Sequence, residues 1–383
     1  MKRYWRLISI VTVVVLTVGT FYIQSSLAAG GYPEFSIENI SGDEEVIESV
    51  ILNGSYNTGT GMHVAVDVKP EDSEYFNKQS FFERLQGMYS SEVKRLQEEY
   101  RSFMRGKAGS LTSYLETEET LAYADVNNQS VRTSGSEMEF DIAVLDKENG
   151  ETTAFKAPVP NRAMYHQVYV EDVQMADNTL RVITRNFSRN GENVLHLYHF
   201  DITKQEITGD ERIAMTGENE ENAMSDFMKV RESDQTAPSD YIIFRENSPA
   251  NQNEQGYIVY NLETGEKQQL DFSGRDVLLS HNEHLYLSTG DQILQYNIET
   301  DEMTAEIDLP AQGDGETQEQ SPPLFHVTND RMYLLTSIPG QKMGQNIVVI
   351  DTTSGETLYN GKVTSEKPVD QHGSLHIFDI QIR

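Results

Sequence analysis

One unit recurs five times between residues 142 and 356, and it limits what the chain can fold into. It reads Ile142-Ala143-Val144-Leu145-Asp146 before Asn149-Gly150-Glu151, then Leu195 to Asp201 before Thr203-Lys204-Gln205-Glu206. Three more copies are Ile258-Val259-Tyr260-Asn261 before Thr264-Gly265-Glu266, Leu294-Gln295-Tyr296-Asn297 before Thr300-Asp301-Glu302, and Val348-Val349-Ile350-Asp351 before Ser354-Gly355-Glu356. Each is a strand, an Asp or Asn, a turn and a second strand. The Asp or Asn accepts backbone donors in the turn, Gly or its substitute takes the positive φ, and Thr or Ser supports the turn locally.

A further strand precedes the later copies, at Leu180 to Thr184, Tyr241 to Phe244, Leu285 to Ser288 and Met332 to Thr336. The unit therefore extends to about four strands, and the spacings of 55, 60, 36 and 54 residues between successive Asp or Asn positions are blade-sized. Short alternating runs at Phe35 to Ser41, Ser49 to Tyr56 and His63 to Val68 add strands before the repeats. The alternation of Leu375, Ile377, Ile380 and Ile382 needs a neighbour, for which Phe35 to Ser41 is the candidate. The expected class is all-β: a β-propeller of about six to eight blades over residues 30–383.

These hairpins resemble the bacterial propeller repeats of the quinoprotein-like and WD40-like kinds, over about Glu139 to Arg383. Trp, which quinoprotein repeats place after the Gly, is missing from all five copies, and the single Trp is Trp5. The resemblance thus implies a fold and no quinone cofactor. The chain also resembles uncharacterised, N-terminally anchored extracytoplasmic proteins of Gram-positive bacteria.

One segment breaks the β pattern. From Lys78 to Lys107, Phe82, Leu85, Tyr89, Val93, Leu96, Tyr100 and Phe103 step by three or four along one face, which predicts an amphipathic helical insertion ending at Gly106. Its seven Lys and Arg against four Glu give +3 within a chain of net charge −31. Its stripe either packs on the β domain or docks a partner or anionic surface.

Lys2, Arg3 and Arg6 lead an uncharged run from Leu7 to Ile23, which predicts an N-terminal hydrophobic signal or anchor helix over residues 1–29. Ser26 and Ala28 supply the small residues for cleavage near Ala28 or Ala29; if uncleaved, residues 7–23 form a membrane anchor. The 61 acidic residues against 30 basic ones repel nucleic acid and anionic head groups. Without cysteine the chain has neither a disulfide nor a lipidated thiol, and any metal site must use oxygen or imidazole.

The chemistry-bearing candidates are few. His281 and His284 flank a turn and can hold a metal if a third ligand comes from another blade; Asp314 and Glu316, with Glu319, form an acidic loop like that of calcium sites. A divalent cation is thus the one cofactor these residues admit. His196 and His199, three apart in a strand, point to opposite faces and cannot share a metal. Phosphate loops, nucleophile elbows and zinc-protease motifs are missing from the sequence. No catalytic residue is named.

The expected function is a non-enzymatic binding, sensing or scaffold module outside the membrane, with a protein or cell-envelope partner and no nucleic acid. The alternative is an extracytoplasmic hydrolase, lyase or oxidoreductase whose site residues are scattered over loops at the mouth of the channel. A reporter fused after Gly31 is expected outside the cytoplasm, as an export-dependent phosphatase assay measures; cytosolic activity overturns the export reading.

Overall fold

The computed structural model describes residues 32–58, 63–75, 91–127, 138–216, 226–247, 256–272, 275–309, 323–338, 344–365 and 373–382, together with 12, 19 and 20. Apart from 12, 19 and 20, the expected leader over 1–29 lies outside them, as does the first part of the expected helix, 78–90. Among the described residues no helix is long and apolar enough to cross a membrane. The chain divides into two compact units, Met1–Met88 with Pro310–Arg383, and Tyr89–Leu309.

In the second unit the strands fall into four antiparallel sheets, each built in chain order. They are β5 (Tyr114–Glu116), β6 (Thr120–Asn127), β7 (Glu139–Asp146) and β8 (Thr152–Pro158); β9 (Tyr165–Ala176), β10 (Thr179–Ser188), β11 (Asn193–Asp201) and β12 (Glu206–Thr216); β13 (Asp226–Lys229), β14 (Tyr241–Asn247), β15 (Gly256–Asn261) and β16 (Lys267–Asp271); and β17 (Asp276–His281), β18 (His284–Ser288), β19 (Gln292–Asn297) and β20 (Glu302–Asp308). The third strand of each is the apolar run seen in the repeat, and runs such as Tyr257 to Tyr260 are buried on both faces. The fourth strands are mostly exposed, as in β16 and β20.

The first unit holds two sheets. One contains β2 (Val50–Asn57), β3 (His63–Val68), β4 (Ser73–Tyr75) and β25 (Ser374–Ile382), with β25 beside β2; the other runs β21 (Leu324–Thr328), β22 (Arg331–Ser337), β23 (Gln345–Asp351), β24 (Thr357–Ser365) and then β1 (Phe35–Gly42). The early and late strands do share sheets, but the expected partners differ. β25 pairs with β2, Val50 opposite Ile382, while Phe35 to Ser41 lies on β24, Phe35 opposite Ser365. One face of β2 explains the choice. Val50, Leu52 and Tyr56 are buried on one side of the pleat, and Gly54 sits where an added Cβ would come within 2.6 Å of the Ile377 Cδ1 and 2.7 Å of the His376 carbonyl. Only glycine permits that approach.

Six sheets of this kind are consistent with a β-propeller, at the lower end of the expected six to eight. Five carry the repeated turn, and it is built as its residues require. Asp146 Oδ1 accepts from the amides of Glu148 and Asn149, Asn261 Oδ1 from Glu263 and Thr264, Asn297 Oδ1 from Glu299 and Thr300, and Asp351 Oδ1 from Thr353 and Ser354. Asp201 receives the amide of Lys204 at 2.9 Å. Four residues after each Asp or Asn the backbone turns left-handed, with φ of 73° at Gly150, 58° at Gln205, 72° at Gly265, 57° at Asp301 and 74° at Gly355. The next amide, that of Lys147, Ile202, Leu262, Ile298 or Thr352, donates to a carbonyl at the turn between the first two strands: Glu119, Asn178, Asp240, Glu283 or Asp330. The sheet with β2 lacks this device, and its β3–β4 turn is closed by Lys69 N to Asp72 O at 2.8 Å.

Helix α1 (Ser91–Glu99) and a short α2 (Arg101–Met104) stand where the sequence predicts one continuous helix. The break falls at Tyr100, with φ −114° and ψ 46°. Val93, Leu96, Phe103 and Met104 pack with Tyr114, Leu121, Tyr123, Ala143 and Leu145, so the described part of the stripe belongs to a core, and Arg95 pairs with Glu92, Glu99 and Glu116. Replacing fully buried Leu96 by Ala is expected to cost about 2–5 kcal/mol of stability in chemical denaturation, the usual loss for a large-to-small core change.

Candidate functional site

The polar face of the sheet β5–β8 carries the group of side chains best suited to chemistry. Strand alternation puts Tyr123, Asp125 and Asn127 of β6 on one face, while Ala122, Ala124 and Val126 enter the core on the other. Across the ladder Asp125 lies opposite Asp141 and Asn127 opposite Glu139; Asp141 in turn lies opposite Lys156 on β8. Two carboxylates directly opposite on neighbouring strands repel each other.

The segment after α2 closes over this face. Gly106, with φ 78°, turns the chain so that Ala108 N donates to the Tyr123 hydroxyl at 3.1 Å, and Tyr114 donates its hydroxyl to the Ala108 carbonyl. Lys107 is thereby held with its ammonium 4.3 Å from the Phe103 ring centre and 5.0 Å from that of Tyr123. Between segment and sheet lies a cavity of about 520 Å³, lined by Lys107, Tyr123, Asp125, Asn127, Glu139, Asp141 and Lys156 among others. Three carboxylates face two ammonium groups there.

The environment draws the titrations of Lys107 and Asp125 toward each other. Burial pushes the Lys107 ammonium down, opposed by Asp141. Burial raises Asp125, and Asp141 adds to the rise, against the Val126 amide at 2.8 Å and the Tyr123 hydroxyl at 3.5 Å. Burial also raises the Tyr123 phenol. A carboxyl that keeps its proton longer than usual and an amine that loses its proton sooner, lining one cavity, can bind a polar ligand or exchange a proton with one.

The residues singled out in the sequence fall elsewhere. His281 and His284 are the facing pair that closes the β17–β18 turn around Asn282, whose φ is 52°. His284 Nε2 is 3.3 Å from the amide nitrogen of Asn297, the Asn of the fourth repeat, and its Nδ1 is 3.7 Å from the Glu283 carboxylate. Asp314 and Glu316 lie outside the described residues. Among the described residues no group of three or more His, Asp or Glu side chains is placed to hold a metal ion. His196 is stacked on Tyr198, 5.5 Å between ring centres, and accompanied by the Tyr165 hydroxyl at 3.1 Å; burial lowers both His196 and His199.

No family model matches the chain, and no curated protein matches it. The solved structures it resembles include a Synechocystis apocarotenoid oxygenase mutant, 9% identical over 90% of this chain and 96% of that one with a TM-score of 0.43. They also include the β-propeller domain of the Trilobed protease from Pyrococcus furiosus, 10% identical over 84% of each chain at 0.33. The WD40 domain of SCAP from fission yeast is 10% identical over 66% of this chain and 73% of that one, at 0.32. Enzymes and WD40 domains both occur among these likenesses, and at such scores none of them bears on activity.

Because the folded state raises the Asp125 pKa, ionising this group opposes folding, and stability falls as pH rises from the unfolded carboxyl value of about 3.9 through the folded one. Asp125→Asn is therefore expected to be near neutral at pH 4 and stabilising at pH 7 in thermal melts. An equal effect at both values overturns this.

Proposed function

We propose that the chain is an exported β-propeller that acts as a binding or sensing module outside the membrane, and that the cavity between Lys107 and the sheet β5–β8 is its ligand site. The observation that carries this is the retained repulsion of Asp125 and Asp141 inside a cavity. Such a conflict weakens the sheet, and a bound positive group relieves it. The ligand class that fits is a small polar molecule with an amine or guanidinium, accepted by the carboxylates and flanked by the ring of Tyr123. The leader pattern at Lys2, Arg3, Arg6 and Leu7 to Ile23 supports placing the domain outside the membrane, with a protein or the cell envelope presenting such groups.

A second reading rests on the same residues. Lys107 pushed down and Asp125 pushed up line one cavity, and an amine and a carboxyl shifted in those directions are groups a hydrolase or lyase can use as base and acid. In that reading Asp125→Asn abolishes turnover and leaves affinity within about tenfold.

Titration calorimetry of the folded domain with ethanolamine, glucosamine and arginine tests the proposal. At least one is expected to bind, with affinity falling about tenfold or more in Asp141→Asn, a change of about 1.4 kcal/mol. Failure of all three at millimolar concentration, or binding that ignores Asp141→Asn, overturns it.

A further inference from the structure

Residues 230–240 join β13 to β14 without helix or strand, yet they are tied to three other elements of the second unit. Ser280 of β17 donates its amide to the Arg231 carbonyl at 2.9 Å, and Ser233 donates its amide to the Ser280 carbonyl at 3.0 Å, so that Glu232 and Ser280 form a parallel bridge. Glu116 of β5 donates its amide to the Thr236 carbonyl at 2.7 Å. Gln174 of β9 accepts the Ser239 amide at 3.0 Å and gives its own side-chain N–H to Ala237 O. The segment is a strap across β5, β9 and β17.

The strap carries Glu232, 6% exposed. Its Oε2 accepts from Lys229 Nζ of β13 at 2.8 Å, and Lys229 also pairs with Asp172 of β9, a side chain 3% exposed that takes a further hydrogen bond from Gln174. Two buried carboxylates thus share one ammonium, and one negative charge is left over where desolvation penalises it most. Glu232 Oε1 has no protein partner among the described residues, and neither has Ser280 Oγ, which is equally buried and belongs to the residue bridged to Glu232.

We propose that the strap is a proton-operated latch, in which a proton on Glu232 cancels the surplus charge of the Lys229, Asp172 and Glu232 group, and in which loss of that proton loosens the strap. One proton taken from solvent removes the surplus charge, and a neutral Glu232 carboxyl is far less costly to keep buried there than an anion that shares its only counter-ion. Glu232 is raised to about 7: burial is the largest cause, Lys229 from β13 opposes it, and Asp172 from β9 and Asp234 within the strap add to the rise. Arg231 adjoins it along the strap. With the folded pKa above the unfolded value of about 4.3, the fastened strap loses its advantage as pH rises between these values and toward 8.

Hydrogen exchange of the amides of Ser233, Ser239, Ser280 and Glu116 tests the latch in the intact chain. Glu232→Gln keeps a neutral side chain at every pH, and the ratio of wild-type to Glu232→Gln rates at one pH cancels the intrinsic pH dependence of exchange. The ratio is expected near one at pH 5 and about tenfold by pH 8, as opening of the strap becomes easier in the wild type. A ratio independent of pH, or faster exchange in Glu232→Gln throughout, overturns the proposal, because Glu232 then serves as an ordinary anion for Lys229. If Glu232→Gln does not fold, Asp172→Asn decides. With the second carboxylate gone Lys229 balances Glu232 alone, so the loosening between pH 5 and 8 is expected to disappear, and an unchanged profile overturns the latch.

Discussion

The described fold depends on one local bargain at the end of each repeated sheet: a side-chain oxygen takes two amides of a tight turn, and the next amide reaches a carbonyl of the neighbouring turn. The first half fixes the hairpin between the third and fourth strands. The second half ties that hairpin to the one between the first and second strands, so four strands are clamped at a single end. A chain with no disulfide needs such a device, because the strands at the margins bury little. Fourth strands such as β16 show one buried residue among five, and hydrogen bonding at the turn substitutes for the contacts they lack.

How much was legible in the sequence follows from this. The Asp or Asn and its left-handed partner stand at fixed separation, so five sheets are readable from short-range spacing alone, even where Gln205 or Asp301 replaces Gly. The sixth sheet lacks the signature, and its composition from β2, β3, β4 and β25 depends on pairings hundreds of residues apart that periodicity cannot rank. Alternation alone fits Phe35 to Ser41 as well as Val50 to Asn57 beside the last strand; the close approach at Gly54 is what distinguishes them. The helix was legible as an apolar stripe, and its break at Tyr100 was not, since no Gly or Pro marks it.

The cavity was invisible for a related reason. Asp125 and Asp141 sit in strands that read as ordinary alternation, and Lys107 reads as the tail of a helix; only the ladder register makes the carboxylates neighbours and only the turn at Gly106 lays the amine over them. The nearest sequence signal was a negative residue at the same phase of two consecutive strands. Histidines attract attention by type, yet His284 belongs to a hairpin, beside the Asn that builds the neighbouring turn. In a protein of net charge −31, single acidic residues carry little information, and opposed pairs held away from water carry much more.

The pairing of β25 with β2 has a kinetic meaning. Val50 and Ile382 face each other across 332 intervening steps of chain, and Phe35 faces Ser365 in the adjoining sheet, whereas every ladder of the second unit joins strands close in sequence. Loop closure over such a distance comes late in folding, after hairpins of the second unit have had time to form. Until it happens, the edge of β2 has no partner strand and is open to any other extended chain. The interval between those two events is when this protein is most exposed to aggregation, and its length is set by topology, with local strand propensity playing little part.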